Sequence, residues 1–143
     1  MDNMKAEELL SGALHALTQK DVQPWIDMFA EDGVMEFPFA LPGYPGRVDG
    51  KQAIADYLAD YPDHLSLSAI HGPKFHHSGE VMIAEFSVEG TAVATGRPYN
   101  QRYISVITFQ GDNIAMYRDY WNPVVAIEAL GGVEKLLEFG KEG

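Results

Sequence analysis

The chain has no cysteine, few cations and no long apolar run, and each shortage removes a class of protein from consideration. Without cysteine there are no disulfides, no thiolate metal sites and no cysteine nucleophile. Ten Lys and Arg against 21 Asp and Glu leave a net charge of −11, which argues against nucleic acid or an anionic membrane surface as a partner. No stretch approaches the ~18 apolar residues of a membrane span. The first residues, MDNMKAEELLSGALHAL, lack the basic segment and long apolar core of a signal peptide. A soluble cytoplasmic protein is therefore expected. The five histidines show neither H-x-H nor H-E-x-x-H spacing, so no metal site is expected. There is no G-x-S-x-G for serine hydrolysis. The stretch Gly43-Tyr44-Pro45-Gly46 lacks the lysine and serine that a phosphate-binding loop needs. No motif calls for a cofactor.

What is present suffices for a core. The 143 residues are 46% apolar, which predicts one domain over 1–143 and excludes disorder. Residues 4–19 carry Leu9, Leu10, Ala13, Leu14 and Leu17 at helical spacing. Asp21 can cap a second helix, PWIDMFAED, after which Gly33 begins a strand, VMEFPF, with Pro38 pointing to a sheet edge. A Gly- and Pro-rich loop over 40–50 leads to a third helix, KQAIADYLADY, with Asp49 as its cap. Four β-rich runs follow, at 65–77, 80–95, 99–110 and 114–122. Helices first and an antiparallel sheet afterwards make an α+β fold. A sheet apolar on both sides either curls around helices to leave a pocket or pairs with another subunit.

The stretch YRDYWNPVVAIEALGG, residues 117–132, sets an acid and a base inside an aromatic strand near its end. Asn122-Pro123 starts a helix and Gly131-Gly132 stops it. Before the strand, QGDN is a hairpin turn. With a two-residue loop, the face bearing Tyr117, Asp119 and Trp121 also bears Arg102, Ile104, Val106 and Thr108; a three-residue loop reverses the pairing. An interior Asp119 needs a cation, hydrogen bonds or a proton, and Arg102 is then its diagonal partner. The alternative is an Asp119 facing solvent.

The order of elements, with W-x-x-x-F-A-E-D-G-V-x-E-F-P and Y-R-D-Y-W-N-P, resembles the nuclear transport factor 2-like superfamily, including SnoaL-like proteins, over nearly the whole chain. The resemblance implies a curved, mainly antiparallel sheet wrapped around three N-terminal helices, a cystatin-like cone with an apolar pocket, and a homodimer formed through the sheet face. Among ketosteroid isomerases the general base would fall at Phe37, the oxyanion-hole tyrosine at about Ala13 and its acid near Arg102, so that mechanism is not expected. Limonene epoxide hydrolases carry W-R-D-Y-F-D, similar to residues 117–122, and their essential aspartate maps to Asp119; their partner Arg-x-Asp is missing from AEFSVEGTAV. Phenazine-biosynthesis A/B proteins show a similar R-E-F-M-N-P before a short helix, and a P-G-Y-P that stands here at 42–45. Tyr57 lies nearest to their catalytic histidine.

These readings give Asp119 and Arg102 as catalytic candidates, and Trp25, Phe37, Phe39, Tyr57, His71, Tyr117 and Trp121 as substrate-binding candidates. Trp25, Phe29, Phe37 and Phe39 are equally explained as core, His76-His77 as a surface turn, and Glu36 as a solvated or paired acid. Two functions stay open. One is a small acid–base isomerase, cyclase or hydrolase acting on a small apolar oxygenated metabolite. The other is a non-catalytic small-molecule-binding or dimeric accessory protein in which Asp119 and Arg102 close a structural pair.

Overall fold

Residues 1–132 are described by the computed structural model. Helix α1, Asn3–Thr18, starts where the Asp2 carboxylate accepts from Met4 N. It buries Ala6, Leu10, Ala13 and Leu14 at helical spacing; Leu9, expected on that face, is 37% exposed. Helix α2, Gln23–Asp27, is shorter than the sequence suggests. Strand β1 begins at Phe29 and runs to Glu36, instead of starting at Gly33. Trp25, Ile26, Met28 and Phe29 are all buried, a pattern that a continued helix would also satisfy. Pairing with a later strand decides the matter, because Ile114 N donates to Met28 O at 2.8 Å.

Strand β2, Arg47–Asp49, lies on one side of β1, so Pro38 sits past the end of an interior strand and marks no edge. Helix α3, Lys51–Leu58, has Gly50 at its N-cap position with no side-chain cap. Asp49 is not the cap, because its carboxylate takes the Arg47 Nε–H at 2.8 Å. Helix α4, Tyr61–His64, leads into a meander of β3 (Leu65–Ser78), β4 (Val81–Ala92), β5 (Gln101–Gln110) and β6 (Asn113–Trp121). The six strands form one curved, unclosed sheet in the order β2-β1-β6-β5-β4-β3, antiparallel except where β1 meets β6. The helices pack on its inner face. This is the cone-shaped α+β fold that the sequence pattern anticipates. No helix among the described residues is long and apolar enough to cross a membrane.

The β5–β6 hairpin decides which side chains face inward. Its loop has two residues, Gly111-Asp112, since Gln110 pairs with Asn113. Ala115 then bulges: Phe109 pairs with Ile114 and Thr108 with Met116. One extra residue reverses the alternation beyond it. Ser105 stands opposite Asp119, and Tyr103 opposite Trp121. The expected pairing of Asp119 with Arg102 is thereby overturned. The bulge faces an irregularity in β1 between Phe29 and Val34. There the chain needs Gly33, where a Cβ would lie 2.9 Å from Ile114 O.

Helix α5, Pro123–Leu130, closes one side of the cone. Asn122 caps it by accepting from Val124 N at 3.0 Å, and Gly131 ends it at φ 124°. Gln101 clamps the start of this helix. Its Nε2 donates to Asn122 O, and its Oε1 accepts from Asn122 N, both at 2.9 Å. At the other end Thr95 Oγ1 donates to Ala129 O at 2.7 Å and Arg97 Nη1 to Glu128 O at 3.1 Å.

Candidate functional site

Between the inner sheet face, the early helices and α5 lies a cavity of about 810 Å³. That volume is in the range of small-molecule sites. Its wall is mostly apolar, with Trp25, Phe37 and Trp121 among the aromatic contributors. Phe37 touches Tyr57 and Trp121 at ring distances of 5.3 and 5.5 Å, and Trp25 touches Tyr117 at 5.0 Å.

Two acids line this wall, an exposed Asp60 and the enclosed Asp119. The bulge at Ala115 turns Asp119 inward, and among the described residues neither of its carboxyl oxygens has a hydrogen-bond partner, with Oδ1 fully enclosed. Burial disfavours the charged form and pushes the carboxyl up to about 8. At neutral pH it therefore holds a proton. The indole Nε1 atoms of Trp25 and Trp121 are likewise enclosed without partners.

Tyrosines surround the acid. Tyr99 and Tyr103 join hydroxyls at 2.6 Å, and Tyr61 lines the same wall. Burial raises all three hydroxyls, Tyr99 to about 12, and the Asp119 charge adds to the effect. The Tyr117 and Ser105 hydroxyls bond each other at 2.6 Å. A neutral carboxylic acid among neutral phenols can donate protons to an oxygen atom while the apolar wall holds the rest of a ligand.

Comparison with known proteins identifies the family. The model of the SnoaL-like domain matches residues 11–117. The chain belongs to the SnoaL-like family. This SnoaL-like chain is 44% identical over 130 residues to the uncharacterized protein YesE of Bacillus subtilis, covering 90% of this chain and 88% of that one. It is 38% identical over 133 residues to the uncharacterized PhzA/B-like protein PA3332 of Pseudomonas aeruginosa, covering 92% and 94%. Among solved structures, a Bacillus subtilis protein provisionally designated an isomerase is 43% identical, with a TM-score of 0.87 over 92% of this chain and 97% of that one.

Of the residues that the sequence singles out, Trp25, Phe37, Tyr57, Tyr117, Asp119 and Trp121 meet in the SnoaL-like cavity. Three do not. Arg102 is exposed on the outer sheet face, because the bulge displaces it by one residue from the inward set. His71 is exposed and pairs with Glu89 at 2.6 Å, on a strand whose register slips between His71 and Lys74. Phe39 lies beyond the end of β1, 50% exposed, and packs edge-on against Tyr120. Glu36 is paired as foreseen, 3.1 Å from Arg47. Sequence reasoning missed Tyr61, Tyr99 and Tyr103 as a group. Tyr99 and Tyr103 are four apart beside and within one strand, a spacing that places both on the same face.

Proposed function

We propose that this chain performs acid–base chemistry on a small, apolar, oxygen-bearing metabolite, with Asp119 as the proton-carrying group. The isomerase and cyclase designations of same-fold proteins agree in kind with this reading. The observation that carries it is a partnerless carboxyl on the wall of an aromatic cavity, held neutral to about pH 8 by burial. At neutral pH Asp119 is a general acid; above its pKa it becomes a base. Such proton transfer contributes roughly 10²–10⁴-fold to a rate. Trp25, Phe37, Tyr57 and Trp121 exclude water and orient the ligand.

Small-molecule occupancy of this fold has a precedent in TerC, co-crystallised with polyporic acid; that chain is 17% identical, with a TM-score of 0.72. The test is turnover of candidate cyclic ketones and enols by wild type and Asp119→Asn. Turnover should fall by about 10² or more in the variant while binding persists. Equal turnover would refute the assignment. A non-catalytic binding role is the second reading, favoured by the lack of any described side chain hydrogen-bonded to Asp119 to orient it.

A further inference from the structure

The cavity has two unlike halves, and strand register sets the boundary between them. Trp121 pairs with Tyr103, and Tyr103 with Phe86, whose rings stack at 5.1 Å. All three line the cavity, so an aromatic row crosses β6, β5 and β4. On one side of it the next row is Asp119, Ser105 and Ala84. On the other, Val88 stands opposite Gln101 and β4 runs on to Ala92.

Beyond the aromatic row the wall turns aliphatic. Leu65, Leu67, Val88 and Ala92 supply the sheet side, and Ala126 and Leu130 the α5 side, with the rings of Tyr61 and Tyr99 beside them. The polar groups that fasten this end are engaged within the protein. Gln101 holds Asn122 by two bonds of 2.9 Å, Thr95 Oγ1 donates to Ala129 O at 2.7 Å, and the Tyr99 hydroxyl bonds Tyr103 at 2.6 Å. Exposed Asp60 and His64 stand at the rim. Helix α5 covers this half from Asn122, beside Trp121, to the Thr95 tie past the end of β4. Its 8 residues, at about 1.5 Å each, make a cover of about 12 Å.

Size points the same way. At about 30 Å³ for each water-sized group, a cavity of about 810 Å³ has room for well over twenty of them. A bicyclic ring of about ten carbons would fill less than half.

We propose that the aliphatic half is a chain-binding gallery, so that the site takes a ring compound bearing an aliphatic chain, its ring toward Asp119 and its chain beneath α5. Carbon–carbon bonds of about 1.5 Å set the chain at about eight carbons under the helix. The inference rests on the acid–base reading of the same cavity and names its ligand class.

Calorimetric titration with para-alkylphenols bearing methyl, butyl, octyl or decyl chains tests the gallery, with octanol as a chain that lacks the ring. Affinity should rise about fourfold per added methylene, the effect of burying one CH₂, and level off near eight carbons. Ala126→Phe fills the gallery from the helix and Ala92→Leu from the sheet. Each variant that melts as a folded protein should bind the octyl probe about tenfold or more weakly, and the methyl probe far less so. Flat affinity from methyl to octyl, a rise that continues unbroken through decyl, octanol binding as tightly as octylphenol, octyl binding undiminished in the folded variants, or no binding of any probe would each overturn the proposal. Asp119→Asn separates the two readings. If it keeps both the chain-length dependence and wild-type turnover, the acid–base reading fails and the gallery stands. If it loses turnover while wild type shows no chain-length dependence, the gallery alone fails.

Discussion

Ser105 lies directly opposite Asp119 across the β5–β6 ladder, yet its hydroxyl is engaged with Tyr117 at 2.6 Å. The hydroxyl directly opposite the acid is thus already bonded to a phenol in the core. Asp119 is left to choose between a proton and a costly charge, and it takes the proton.

That choice gives the protein a pH-dependent stability with a definite sign. The folded carboxyl titrates at about 8, against 3.8 for an ordinary aspartate. Below the lower value both states are protonated and the fold carries no penalty. Between the two the unfolded chain has released its proton and the folded one has not, so stability falls as pH rises, and it levels off above about 8. Calorimetric melts of Asp119→Asn should match wild type near pH 4 and exceed it at pH 8. A variant that melts clearly lower at pH 8 would mean that the carboxylate has a stabilising partner.

Asn122→Ala should destabilise the protein by roughly 0.5–2 kcal/mol, the usual worth of an N-cap. The Val124 N–H would lose its acceptor at 3.0 Å, while the backbone clamp from Gln101 remains. An unchanged melting temperature would remove the cap from the account.

Gly33→Ala should cost about 1–3 kcal/mol by overpacking. The added methyl would meet Ile114 O at 2.9 Å and Ala30 O at 3.0 Å, both backbone atoms of the bent region. Urea denaturation measures the loss; a neutral substitution would show that the bend relaxes freely.

The outer sheet face carries Ile104, 46% exposed, beside Arg102, with Tyr120 opposite Ile104. We expect two copies to bury this face against each other. Light scattering should report a particle of two chains, and Ile104→Glu should shift it toward 15.8 kDa. A wild-type monomer at micromolar concentrations would refute the pairing.

The legible and illegible parts of this fold divide along physical lines. Asn122-Pro123 and Gly131 announce their helix because capping needs particular side chains and a positive φ. The Gly111-Asp112 turn is legible for the same reason. Ala115 announces nothing: its bulge comes from pairing with two neighbours, and alanine has no feature that demands it. Strand β6 carries large side chains on both faces, so alternation alone leaves its inward side undecided. A regular register therefore pairs Arg102 with an acid that in fact stands on the opposite face. His71 went astray for a related reason, at the register slip before Lys74. Trp25, Phe37, Tyr57, Tyr117 and Trp121 were found because large aromatics gather wherever a cone has an interior, whichever register its strands adopt.

With Ala115 paired in regular register instead of bulging, the same strand would present Met116, Arg118 and Tyr120 to the interior and turn Tyr117, Asp119 and Trp121 outward. The cavity would exchange its acid for a guanidinium without one change of side-chain chemistry in the strand. One unpaired alanine thus decides the sign of the charge that this strand shows to the cavity.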